Sequence, residues 1–177
     1  MSSASNGWGS PRTRIVQWYD PAIAVASAAT MSGREFLQAI IDGHVPRPAF
    51  AALTGAELVC VDDGVAVFRF TPDESTLNPL GIVHGGMLCT LLDSAAGCAV
   101  HTQLPAGVGM SSIEIKVSFL SAVVAGGDIL EVEGRSLRVG RQVAFAEAHA
   151  RTLEGKLVGH GTTSIALMRP AAPAEPE

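Results

Sequence analysis

Charge is in short supply in this chain. Asp, Glu, Lys and Arg make up 16% of its 177 residues, against about 25% in an ordinary soluble domain, while hydrophobic residues reach 47%. That balance excludes disorder over most of the chain. It also leaves apolar surface that one copy cannot hide, so the chain is expected to form a homo-oligomer. Basic residues are the scarcer of the charged ones, 12 against 17 acidic, for a net charge of -5. A general affinity for nucleic acid or for an anionic membrane surface is excluded, because both need a basic footprint. No run approaches the roughly 18 apolar residues of a membrane span. The small-residue stretch from Ala22 to Ala29 lacks the basic flank and bulky centre of a secretory signal, and a cytoplasmic location is expected. Cys60, Cys89 and Cys98 are the three cysteines and none forms a CxxC pair, so neither a disulfide framework nor a zinc ribbon is suggested. Also missing are the nucleophile elbow, the dinucleotide and Walker glycine motifs and H-E-x-x-H. The five histidines, His44, His84, His101, His149 and His160, have no metal-ligand spacing, and no metal is expected.

With 18.3 kDa the chain has room for one domain. Residues 1–30 open rich in Ser, Asn, Gly and Pro and are expected to be a loose arm, 31–169 the domain, and 170–177 a disordered Pro/Ala tail. Ser32 and Glu35 make a capping box ahead of Phe36, Leu37, Ile40 and Ile41, and Gly43 ends that amphipathic helix. Pro46 and Pro48 then force a connection. Asp62-Asp63-Gly64 joins the runs Glu57–Val61 and Val65–Phe70 as a hairpin. A long helix, apolar nearly all round and therefore internal, is expected from Gly85-Gly86 to about Val100. Four strands follow: Ser112–Leu120, Ile129–Val139, Val143–Thr152 and Leu157–Met168, separated by turn signals. The order implies an α+β fold with an antiparallel sheet wrapped around the long helix.

Between Glu74 and Glu114 the only formally charged residue is Asp93, in the middle of that helix. An unpaired buried carboxylate is costly, so Asp93 is either a hydrogen-bonded core residue or a base or nucleophile. On the helical wheel Leu88, Leu91, Leu92, Ala95 and Ala99 form a face suited to packing on a sheet. Cys89, Thr90, Ala96 and Gly97 surround Asp93 with small side chains that let a ligand or another subunit approach. At the helix start, His84-Gly85-Gly86 leaves backbone N–H groups that could hold an oxyanion or could simply join loop to helix. Nine residues separate His84 from Asp93, about 13 Å along an ideal helix and on nearly opposite faces. Either one site is assembled from two chains, or the two residues do unrelated jobs.

The run from Asn78 to Gly97, with Asn six residues before His84, Gly-Gly after it and Asp nine after it, resembles the signature of the PaaI-type acyl-CoA thioesterases of the hotdog superfamily. With the strand pattern, the resemblance covers roughly Leu53 to Met168. It implies a hotdog fold, dimers that join their sheets and often pair again as tetramers, and hydrolysis of acyl-CoA to free acid and CoA without metal or organic cofactor. It gives Asp93 the role of general base or nucleophile and the Gly85 N–H that of oxyanion donor. Asn78 and His84 would position water and thioester, and Ser112 would face the carboxylate from the following strand. The carboxylate and the Gly N–H would come from opposite chains. Gly86 and Thr90 are the expected substrate contacts on the helix. Arg135, Arg138 and Arg141 lie within seven residues, and arginine suits bidentate phosphate contacts. Arg141, on a turn where resembling enzymes carry a basic residue, and Arg138 are the expected partners of the CoA phosphates. Two departures stand out: Leu77 where an aromatic is frequent, and a long N-terminal arm. The alternatives are a hotdog hydratase or dehydratase, which wants a His beside the Asp, and an acyl-CoA-binding module without turnover.

Overall fold

The computed structural model describes residues 7–169. The expected tail, 170–177, lies outside the described residues. Three helices, α1 (Pro21–Thr30), α2 (Gly33–Ile41) and α3 (Ala49–Thr54), precede the hairpin β1 (Glu57–Asp62) and β2 (Val65–Phe70). A 3-10 turn at Glu74–Thr76 leads to α4 (Gly85–His101), and β3 (Gly109–Phe119), β4 (Leu130–Val139), β5 (Val143–Thr152) and β6 (Leu157–Met168) complete the chain. The strands form one antiparallel sheet in the order β1-β2-β4-β5-β6-β3, with β1 and β3 at its edges. Among the described residues no helix is long and apolar enough to cross a membrane.

Two segments differ from the sequence reading. The expected loose arm contains α1, started by Asp20, whose carboxylate accepts the Ala22 N–H at 2.9 Å, and by Pro21 in the first turn. Ala24 and Ala28 rest against the core formed with α2. Further back, Arg12 pairs with Glu74 and Arg14 donates to the Leu53 carbonyl at 2.8 Å. Order therefore begins before Ser32. The proline-rich connection also contains α3, where Pro48 takes the N-cap and Gly55, at φ 80°, ends the helix. The capping box of α2 is present as expected, with the Glu35 carboxylate accepting the Ser32 N–H at 2.9 Å.

Helix α4 lies across one face of the sheet with Leu91, Leu92, Ala95 and Ala99 fully buried. Small residues bring it close. Ala144, Ala146, Ala148 and Ala150 alternate inward along β5, and a Cβ on Gly134 of β4 would stand 2.0 Å from the Ala95 carbonyl oxygen. Gly33 does the same at the helix end, where a Cβ would stand 1.7 Å from the His101 carbonyl oxygen. The sheet thus fixes α4 in height, and α4 fixes Asp93.

Candidate active site

Asp93 projects from α4 toward β3. Ser112 Oγ donates to Asp93 Oδ1 at 2.7 Å, a well-formed O–H···O bond. A bulge puts Ser112 there. It falls between Ser112 and Glu114, so Ser112 pairs with the inward-facing Ile165, while Glu114 pairs with Ser164 and accepts its hydroxyl at 2.8 Å. In a regular strand the two residues would share a face.

The pair stands at the wall of a cavity of about 500 Å³. Gly97 and Cys98 of α4 and Met110 of β3 form one side, and Leu37 and Ile41 of α2 with Phe50 of α3 form another. The lining is mainly apolar. Burial pushes the Cys98 thiol up to about 12, and the Asp93 charge adds to the shift. Cys89 is raised for the same two reasons. Both thiols are held toward the protonated form, and the carboxylates on the cavity wall are Asp93, bonded to Ser112, and Glu57 at the start of β1.

The start of α4 is a separate cluster. Asn78 closes its loop, with Oδ1 accepting the Leu80 N–H at 2.9 Å and the backbone N–H donating to the Ile82 carbonyl at 2.8 Å. The His84 N–H donates to the Thr76 carbonyl at 2.8 Å, and His84 Nδ1 accepts the Gly86 N–H at 2.9 Å. His84 is thus the N-cap of α4, and the Gly86 donor is already used. No described residue accepts from the Gly85 N–H. Phe119 of β3, to which sequence reasoning assigned nothing, lies over this glycine, 3.1 Å from where a Cβ would be.

Asp93 and Ser112 are therefore brought together within the chain. Asn78, His84, Gly85 and Gly86 gather at the other end of α4, and Thr90 is half-buried between the two groups. The small face around Asp93 is only partly open: Ala96 and Gly97 are buried, with Met110 close to Gly97. Arg138 and Arg141 are exposed and outside the cavity lining, while Arg135 is paired with Glu133 at 2.6 Å.

Residues 80–159 match the model of the thioesterase superfamily. A phenylacetic acid degradation-related protein of Ralstonia eutropha has a similar structure, with a TM-score of 0.67, 30% identity and coverage of 73% of this chain and 98% of its own. The chain belongs to the thioesterase superfamily. Human acyl-coenzyme A thioesterase 13 is 24% identical over 136 residues, 76% of this chain and 94% of that protein. A Caenorhabditis elegans relative is 37% identical over 117 residues, and the match spans 63% of its length. The six-stranded antiparallel sheet on one long helix is the hotdog fold of these thioesterases, as the resemblance implied. Within this thioesterase fold, the α2 and α3 side of the cavity was missed from sequence, where the apolar stripe of α2 reads as ordinary core.

Proposed function

We propose that this thioesterase-superfamily chain hydrolyses acyl-CoA, taking acyl-CoA and water to a free acid and CoA. The observation that carries the reading is the Asp93 carboxylate, oriented by Ser112 at 2.7 Å, on the wall of a largely apolar cavity. The acyl group occupies that cavity. Asp93 either takes a proton from water as it attacks the thioester carbon or attacks directly to give an acyl-enzyme anhydride that water then opens. In both routes the carbonyl oxygen becomes an oxyanion, the C–S bond breaks, and the departing sulfur takes up a proton. The Gly85 N–H, without an acceptor among the described residues, is the oxyanion donor. Asn78 and His84 hold the loop that aims it, and Gly86 and Thr90 border the thioester's path. Arg141 and Arg138 take the CoA phosphates, and no metal or organic cofactor enters the chemistry.

Gly85 and Asp93 lie eight residues apart on α4, about 12 Å along its axis. The proposed site is therefore completed by a second copy. Edge strand β3 has its Ser111–Glu114 stretch exposed beside Asp93, and an uncovered edge is a template for pairing with another chain. Joining there forms the dimer, two dimers form the tetramer, and the assembly is assigned to the cytoplasm. The test is thiol release from short-chain, long-chain and aryl CoA esters. Turnover of at least one class is expected; binding of the esters without cleavage of any would replace hydrolysis with ligand sensing.

A further inference from the structure

The outer face of the sheet carries a group of side chains with no part in the site above. Ala146 and Ala148 point inward toward α4, so Glu147 and His149 of β5 point outward. The β5–β6 register sets His149 directly opposite His160. Their ring centroids are 4.6 Å apart, and Glu147 Oε2 is 3.6 Å from His160 Nε2. One ligand atom from each of the three residues lies within 4.8 Å of the other two. All three are half-buried, and among the described residues no hydrogen bond engages either imidazole. Two imidazoles and a carboxylate are thus gathered on one patch of the sheet, with only the 3.6 Å approach of Glu147 to His160 between them.

We propose that Glu147, His149 and His160 bind a zinc ion. Two nitrogens and one carboxylate oxygen form a set suited to zinc and its neighbours in the transition series, whereas magnesium and calcium take oxygen ligands. Around a tetrahedral zinc with bonds of about 2.0 Å the ligand atoms stand about 3.3 Å apart. The three side chains reach that spacing by closing about 1.5 Å at most. Three protein ligands leave the fourth position to water. Glu133, opposite His149 on β4, adds negative charge nearby, offset by its pairing with Arg135 at 2.6 Å. Helix α4 and Asp93 lie on the other face of the sheet, so the ion is separate from the thioester chemistry.

The test uses full-length protein freed of metal by chelator dialysis and titrated with Zn²⁺ against a chromophoric chelator. One ion per chain is expected, in the micromolar range or tighter. His149→Ala and His160→Ala should each weaken binding by at least the roughly 10-fold that losing an outer-shell partner costs. Cys60→Ser and Asp93→Asn should bind as the parent does. Cobalt in place of zinc should give visible bands without a thiolate charge-transfer band. Should either His variant fail to fold by circular dichroism, Glu147→Gln is read in the same way. Absence of saturable binding, unchanged affinity in the ligand variants, or a thiolate band lost in Cys60→Ser overturns the proposal.

Discussion

Gly134→Ala tests whether the sheet sets the position of the candidate carboxylate. The added Cβ would lie 2.0 Å from the Ala95 carbonyl oxygen and 2.6 Å from the Ala96 nitrogen. Ordinary contact begins near 3.4 Å, so α4 and β4 must part by about 1.4 Å, the difference between 3.4 and 2.0 Å. Backbone cannot swing aside as a side chain does. The cost therefore falls at the upper end of the overpacking range, about 3 kcal/mol. For a domain of this size that lowers Tm by about 6–12 °C. Asp93 is two residues from Ala95 on the same helix, and a displacement of that size breaks its 2.7 Å bond with Ser112. Turnover at a temperature where the variant is folded should fall as well. Gly127→Ala, whose Cβ would meet only Val124 at an ordinary 3.7 Å, is the control and should leave Tm within about 2 °C. Calorimetry and thiol release read the two effects separately. A Gly134→Ala protein with parental Tm and parental turnover would refute the reasoning.

Asp93→Asn should keep fold and ligand binding while lowering kcat by orders of magnitude, because the amide keeps the shape and loses the base. Unchanged kcat in the folded variant removes Asp93 from the mechanism. Gly85→Pro deletes the proposed oxyanion donor and should lower kcat about 100-fold or more, with circular dichroism checking that the loop and α4 persist. Parental kcat would assign the oxyanion to another donor.

What could be read from the sequence was local. Asp62-Asp63-Gly64 is a self-contained turn, Ser32 and Glu35 bond to each other, and the turn signals at Gly140-Arg141 and Glu154-Gly155 bound the run Val143–Thr152 that forms β5. The helix within the arm was not legible because it depends on one capping bond at Asp20 and on alanines too small to give a strong apolar stripe. Pairing between distant segments was not legible in the residues themselves; only the resemblance set Ser112 facing Asp93. The bulge that turns Ser112 inward depends on how β3 meets β6. His149 and His160 are eleven residues apart in the chain, a spacing without meaning until strand register sets them face to face. Phe119 over Gly85 is likewise a contact between distant segments.

The proposed shared site makes a sharper prediction than any single substitution. If Asn78 and Gly85 serve one half-site and Asp93 of the other chain completes it, the Asn78→Ala and Asp93→Ala proteins should each be severely impaired. Asn78→Ala acts through its loop, since Asn78 Oδ1 holds the Leu80 N–H at 2.9 Å in the turn ahead of Gly85. After random exchange of equal amounts, about half of the dimers are mixed, and two-fold symmetry gives each one site with both residues and one with neither. About a quarter of all sites then regain parental chemistry. Neither protein alone can produce this gain, and it should appear at the rate of subunit exchange, measured in parallel by fluorescence transfer between labelled chains. Exchange without recovery of activity would place both residues in a site within one chain, and the roughly 12 Å along α4 would then have to be bridged by the substrate itself.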